Sequence, residues 1–446
     1  MKHMKRINHV FFIMMLILTI CFAASSEVRA DQDLLMDILL RKGIITEREA
    51  REIRDEVLRK EEERNKKQKE ELVKEIKDKG LAVPKPLKGL KFEVLGFIDY
   101  SNGKLPGLGD NEYSYNRFTI TRGYFTVKKV ITPWLRTRMT IDTHQDSTGD
   151  WKERLKYLYA EFTPPDFGFF TNMKCEIGLG HIPWLDFEER INPYRCQGTM
   201  AIERAGVFNS ADLGISLRGY FGQELEGAKQ KTGNRHYSGR YGSWHIGIYN
   251  GPGYHSSEDN NNKVIEGRLT LRPLPDFIPG LQLSYFGICG DGNKKASNGE
   301  YPDYNVNMFM LSYEHPIFIF TGQYFQTEGN AKGSWLYANG DALHTAGYSI
   351  FADYKLPIVL FSKRRLHVFA RYDHFDQDDD DNIASDTEYD MFLAGLAYDI
   401  YNGNKFLIAF ETTDYGDDAN EKHKVPIPGN TLGDDYKLQA VLQIKF

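Results

Sequence analysis

The chemistry in this chain begins with arginines that recur at every second position. Arg136 and Arg138 precede Asp142; Arg268 and Arg272 flank Thr270 and follow Glu266. Arg218 follows Asp212 and Ser216 at the same period, and Arg371 stands with His367 and Asp373. A period of two puts such residues on one face of an extended strand. A guanidinium matches phosphate or carboxylate oxygens bidentately, so a face of this kind can attract anions. The alternative is a structural wall in which these arginines pair with Glu266, Asp142 and Asp373. A second concentration of charge lies in 183–210, with Asp186, Glu188, Glu189, Arg190, Arg195, Glu203 and Arg204. Long loops tend to be functional, and one this charged can fold inward and constrict a pore, or lie on its rim.

Other chemistries find little support. There is no G-x-S-x-G, and the scattered Ser and His residues form no recognisable triad, so no catalytic residue is assigned and no enzyme is expected. The run Asp376, Asp378, Asp379, Asp380 and Asp381 suggests a divalent cation, but it lacks the glycine and terminal glutamate of a calcium loop. It reads better as a solvated external loop, and no metal or other cofactor is assigned. Cys21 follows Ile20, which is too large for a lipidation site, and no C-x-x-C or C-x-x-C-H occurs. Cys175, Cys196 and Cys289 cannot all pair internally; one disulfide, Cys196 with Cys289, is conceivable.

The elements that must carry these residues are strands. Lys2, Lys5 and Arg6 precede the apolar run Val10 to Ala24 and the site Val28-Arg29-Ala30, so residues 1–30 read as a cleavable secretory signal. Residues 31–88 read as a helical segment, either coiled-coil-like or solvated, in the periplasm. Leu34, Leu35, Ile38 and Leu39 have helical spacing, and Thr46 with Glu49 forms a capping box. Residues 59–71 are almost wholly charged, and Pro84, Pro86 and Gly89 mark the exit.

From 89 to 446 the period switches to two. About sixteen candidate strands follow, at 91–100, 116–129, 134–144, 153–163, 172–182, 211–222, 238–250, 263–273, 279–288, 303–314, 317–327, 341–354, 364–375, 386–400, 404–414 and 434–446. The fold class is therefore all-β: a transmembrane antiparallel β-barrel preceded by a short periplasmic α-helical segment. Tight turns at 131–133, 314–316 and 401–403 alternate with long polar stretches such as 101–115, 183–210 and 415–433. Short periplasmic turns and long external loops fit an outer-membrane barrel. The stretch 223–237 breaks the alternation, being long where a short turn is due.

Parity assigns the two faces. Leu135, Thr137, Met139 and Ile141 face lipid, opposite Arg136 and Arg138. Leu213, Ile215 and Leu217, then Ile265, Leu269 and Leu271, then Leu366 and Val368, do the same in three later strands. Parity in 116–129 and 153–163 is ambiguous, because Arg122 and Glu161 sit among apolar neighbours. In the last strand Tyr436, Leu438, Ala440, Leu442, Ile444 and Phe446 share the oily face.

Composition agrees. Aromatic girdles are served by 26 Tyr and 28 Phe. No run of about 18 apolar residues follows the signal, so no transmembrane helix is expected. The chain carries a formal charge of −6; losing four basic and one acidic residue with the signal leaves −9. An acidic protein is a poor nucleic-acid partner.

Several segments together resemble the phosphate-selective porin O and P family of outer-membrane proteins. They are Leu34 to Leu39 with Lys42-Gly43-Ile44-Ile45-Thr46, and Thr121-Arg122-Gly123-Tyr124-Phe125. Gly178-Leu179-Gly180-His181-Ile182-Pro183-Trp184 is similar to the family's G-x-x-K-x-P-F, with His181 at the basic position. Glu203-Arg204, Asp212-Leu213-Gly214, Tyr249-Asn250-Gly251 and Arg268-Leu269-Thr270 with Pro273 complete the set. The resemblance implies a homotrimer of sixteen-stranded barrels in outer-membrane lipid, each passing small anions through its own pore. The chain departs from the family in lacking a dense arginine ladder and in its longer charged helix at 47–80. Pore-lining, anion-binding arginines are expected at 136, 138, 190, 195, 204, 218, 268, 272 and 371, and constriction-loop acids at Asp186, Glu188, Glu189 and Glu203. The alternatives are a barrel scaffold for a periplasmic or electron-transfer partner and, more remotely, a barrel enzyme.

Overall fold

The computed structural model describes residues 87–107, 113–146, 148–360, 364–433 and 435–446, with Lys42, Thr46, Glu49 and Glu56 ahead of them. The signal peptide and most of the helical segment lie outside the described residues. Within that segment Glu49 N–H donates to Thr46 Oγ1 at 3.3 Å while Thr46 N–H donates to Glu49 Oε2 at 2.7 Å, a reciprocal cap. The chain divides into two compact units, Met1–Lys88 and Gly89–Phe446.

The second unit is a closed antiparallel barrel of sixteen strands. They are β1 (Leu90–Leu105), β2 (Tyr113–Thr132), β3 (Leu135–Gln145), β4 (Trp151–Phe162), β5 (Phe170–His181), β6 (Ala211–Phe221), β7 (Gly242–Tyr249) and β8 (Val264–Leu271). The second half comprises β9 (Leu281–Asp291), β10 (Asp303–His315), β11 (Phe318–Glu328), β12 (His344–Leu360), β13 (Arg364–Asp376), β14 (Glu388–Tyr401), β15 (Asn404–Tyr415) and β16 (Asp435–Lys445). Each expected strand overlaps one observed strand. Each pairs with its neighbours in sequence, and β1 pairs with β16 to remove the last edge. Val94 N–H donates to Phe446 O at 2.8 Å and Phe446 N–H to Val94 O at 3.2 Å, so the final residue belongs to that seam.

Alternation sorts the side chains. Leu213, Ile215, Ile265, Leu269 and Leu271 are exposed on the outer face, while Asp212, Ser216, Glu266, Arg268 and Thr270 are buried inside. Tyr285, Phe309 and Tyr324 face one another across the middle of β9, β10 and β11, and Tyr348 follows in register near the start of β12. Trp134, Phe167, Phe169, Phe277, Tyr401 and Phe446 are exposed towards the short-turn end. This second set marks one edge of the apolar band, as in a wall between lipid and water. No helix among the described residues is long and apolar enough to cross a membrane, which says nothing of strands.

The interior differs from a uniformly polar lumen. Phe286, Met308, Met310, Phe325, Phe375 and Tyr389 point inward from β9 to β14 and are buried. Those strands are apolar on both faces because their inner face packs against protein, whereas β2 to β6 keep charged inner faces.

Leu269 sits mid-strand on the outer face, opposite Trp244 and Tyr285. Leu269→Arg is expected to weaken folding into lipid vesicles by about 2–4 kcal/mol, the cost of a midplane cation. Urea titration of vesicle-inserted protein reads this, with Leu269→Phe as a near-neutral control.

Candidate functional site

The connection between β5 and β6 lies against the inner wall. It contains α1 (Leu185–Ile191) and α2 (Ala201–Ala205). In α1, Leu185, Phe187, Glu188 and Ile191 are buried, leaving Asp186, Glu189 and Arg190 on the other face. Gly206 ends α2 at φ +95°, and a Cβ there would stand 2.6 Å from His423 Nδ1. Only glycine suits both the left-handed cap and that approach. Before the segment, Gly178 of β5 has φ +125°, and its Cβ would meet Leu158 O at 2.4 Å.

Polar anchors fix the segment across the barrel. Tyr194 stacks on Phe369 at 4.1 Å between centroids and donates its hydroxyl to Asp353 Oδ1 at 2.7 Å. Arg371 Nη1 donates to Thr199 O at 2.9 Å, Lys405 Nζ to Pro193 O at 2.8 Å and Arg268 Nε to Pro183 O at 3.0 Å. Arg204 Nη1 pairs with Glu411 Oε2 at 2.9 Å. Burying these polar groups is tolerable because each makes at least one such bond, although Arg268 Nη2 has no partner; an orphaned group costs about 1–3 kcal/mol.

The open space lies on the other side, between this segment and the inner faces of β1 to β6. Two adjoining cavities there are lined by Arg122, Lys128, Arg136, Arg138, Lys156 and Arg218 from the wall. Several of these cations are neutralised. Lys128 pairs with Glu93 at 2.7 Å, and Arg218 Nη2 pairs with Glu176 at 2.6 Å and Glu161 at 3.1 Å. Arg136 stands 3.8 Å from Glu161, Arg190 3.3 Å from Asp186, and Arg195 bridges Glu189 at 2.9 Å and Glu203 at 3.0 Å.

Of these six wall side chains, three make no ion pair with a carboxylate among the described residues. Arg122 lies 4.7 Å from the Tyr124 ring centroid and 5.4 Å from that of Phe97. Lys156 Nζ donates to Tyr124 Oη at 2.6 Å. Arg138 stacks 4.3 Å over Tyr157 and donates through Nη1 to His181 Nε2 at 3.1 Å. Because arginine only donates, His181 Nε2 must accept there, and Nδ1–H then faces Glu176 Oε2 at 3.0 Å. The His181 ring is thus a neutral bracket that holds Arg138 in place.

Arg136, Arg138, Arg190, Arg195 and Arg218 line the open side. Arg204, Arg268, Arg272 and Arg371 are a correction. They point inward as parity requires, but they are buried as struts under the packed half and do not line the open cavities. Arg272 holds Gly239 O at 3.3 Å, and Arg371 is taken up by Asp373 at 2.6 Å. Asp186, Glu189 and Glu203 stay on the polar side of the segment. Glu188 does not; it is buried, with Trp184 Nε1 donating to its Oε2 at 2.7 Å.

Arg122 and Lys156 escaped sequence reasoning because each sits at a β-bulge. The β1–β2 register slips between Phe97 and Ile98, leaving Thr121 extra and moving the inward parity from Arg117 and Thr119 to Arg122 and Tyr124. The β3–β4 register slips between Thr140 and Ile141, and Lys156 is the extra residue, turned inward. The signal was available in β2, where polar residues change from odd to even positions around 121.

The remaining candidates resolve simply. Cys175, Cys196 and Cys289 are all free; Cys196 is buried inside while Cys289 is exposed on the outer face, so the barrel wall prevents their pairing. Asp376 and Asp378 fold their own loop, Asp376 Oδ1 accepting from Thr387 at 2.7 Å and Asp378 Oδ1 from Tyr337 at 3.1 Å. No group of three potential metal ligands occurs among the described residues.

No family model matches the chain, and no curated protein matches it. Solved structures do. An anion-selective porin from Comamonas acidovorans aligns with a TM-score of 0.52 at 10% identity, covering 80% of this chain and all of that one. Salmonella typhi OmpF, solved with daunomycin, aligns with a TM-score of 0.52 at 11% identity, covering 80% of this chain and 97% of that one. At such identities the likeness is one of fold: the barrel is built as theirs are.

Burial raises the Glu188 carboxyl to about 7, the donor from Trp184 and the nearby Arg371 only partly offsetting it. A carboxyl raised on folding holds its proton in the folded state between the unfolded value and about 7, so its burial cost grows as pH rises through that window and is full above it. Glu188→Gln is therefore expected to stabilise the inner segment by a few kcal/mol at pH 8 and by much less at pH 5. Hydrogen exchange of 185–191 at the two pH values measures the difference.

Proposed function

We propose that this protein is an outer-membrane porin, a passive water-filled path for small hydrophilic solutes that prefers anions such as phosphate. The single observation that carries the preference is the set Arg122, Arg138 and Lys156, three inward cations with no carboxylate partner on the open side. The nearby acids Glu189 and Glu203 share the single charge of Arg195, so one negative charge is left to act through space against the three cations Arg122, Arg138 and Lys156. An uncompensated charge acts on a passing ion most strongly where the path is narrow, and the inner segment narrows this one. The apolar outer band supports lipid as the surrounding medium, and the alternation of turns and loops supports placing the short turns in the periplasm. The resemblance noted above adds the reading of a homotrimer, each barrel with its own pore, and no cofactor is needed for diffusion.

In water, a unit charge about 7 Å from a passing ion is worth about 0.6 kcal/mol, or roughly 3-fold in relative permeability. Replacing Arg122, Arg138 and Lys156 together by Gln is expected to lower the chloride-to-potassium permeability ratio by roughly an order of magnitude. Reversal potentials across a planar bilayer under a KCl gradient measure this, before and after adding phosphate. A cation-favouring or unselective wild-type potential would keep the porin and remove the anion preference. Absence of channels would remove both.

A further inference from the structure

The connection between β6 and β7 is long where its position calls for a tight turn, and it does not hang free. It carries a short helix, α3 (Ala228–Thr232), and zips on itself through Leu225 N–H to Ser238 O at 2.7 Å and Arg240 N–H to Gln223 O at 2.8 Å. Its tip is seated inside the mouth of the barrel by contacts to both wall and inner segment. Asn234 Nδ2 donates to Glu314 Oε1 on β10 at 2.7 Å and to Arg190 O at the end of α1 at 3.0 Å. Tyr237 donates its hydroxyl to Asp186 Oδ2 at 2.6 Å, and its ring meets Phe187 at 5.2 Å and the Arg268 guanidinium at 5.0 Å. Tyr237 holds φ +50° to do so. A bulky residue in the left-handed region is unfavourable locally, so the surrounding contacts must impose it.

This seating has a consequence for the path. The two open cavities share only a few lining residues, and these mark where one passes into the other. Lys128, Arg138 and His181 come from the wall, Asp186 and Arg190 from α1, and Arg235 and His236 from the β6–β7 connection. Asp186 is engaged by Arg190 and Tyr237, and Lys128 by Glu93. Arg138 has no carboxylate, and the exposed side chain of Arg235 makes no ion pair among the described residues.

We propose that the β6–β7 connection is a third wall of the selectivity filter, and that Arg235 is a specificity-determining residue there, completing with Arg138 a basic passage for small anions. This rests on the porin reading. A loop from one end of the barrel and a connection from the other meet at Asp186 and Tyr237, so the passage between the cavities is bounded from three sides.

The test is the reversal potential of full-length protein in planar bilayers under a KCl gradient. Arg235→Glu, Arg235→Gln and Arg235→Lys are compared with Lys229→Gln, an exposed substitution on α3 of the same connection. The chloride-to-potassium ratio is expected to fall roughly 9-fold in Arg235→Glu and about 3-fold in Arg235→Gln, and to stay near wild type in Arg235→Lys and Lys229→Gln. Wild-type-like ratios in both Arg235→Glu and Arg235→Gln, from a channel that itself selects anions, would overturn this inference alone. A wild-type protein that forms no channels would overturn the porin reading and this inference with it.

Discussion

A closed sheet has no edge, and every second side chain points into a space that must be filled with protein or water. Sixteen strands enclose more volume than wall side chains can fill. Here the two solutions are used side by side. Against β8 to β14 the inner segment buries Trp184, Leu185, Phe187, Ile191, Met200 and Ile202 on inward aromatics and methionines. Each such side chain contributes about 1.5–3 kcal/mol when taken from water. Against β1 to β6 the inner face is charged and the space stays open.

The charges follow this division. In the packed half, arginines act as braces whose hydrogen bonds end on carbonyl groups of the inner segment or on a neighbouring carboxylate. Such pairs are costly to break because the remaining charge would be buried alone. In the open half Arg122 and Arg138 are only partly buried and stand without acids, while Lys156 is buried against the rings of Tyr124, Tyr157 and Tyr254. Their aim depends on backbone irregularity. Bulges at Thr121 and Lys156 rotate side chains that strict alternation would send elsewhere, and the neutral His181 ring fixes Arg138 from beside it.

The passage proposed above is bounded by two loops together. Helix α1 buries one stripe and leaves Asp186, Glu189 and Arg190 towards the path, an arrangement set by 3.6-residue periodicity within only two turns. The β6–β7 connection then docks on that polar stripe. Because Asn234 and Tyr237 bind both the wall and α1, they tie together two loops that are distant in sequence.

Period-two alternation and turn chemistry were enough to locate all sixteen strands, their order and the orientation of most faces. These are local properties: a residue's face follows from its neighbours once the strand is extended. The oily face of the terminal strand up to Phe446 was likewise legible, while its pairing with β1 came from the structure. Three things were not. Inward parity could not say whether Arg268, Arg272 and Arg371 meet water or protein, because that depends on which loop covers them. Glu188 and Glu189 are adjacent in sequence, yet helix geometry buries one and leaves the other towards the path. Arg122, Lys156 and Arg235 owe their positions to two bulges and a docked connection, which arise from pairing and packing between distant segments. The sequence by itself determined the barrel, because alternation is local; only the tertiary structure decided which charges line the path, because burial and partnership are properties of the filled interior.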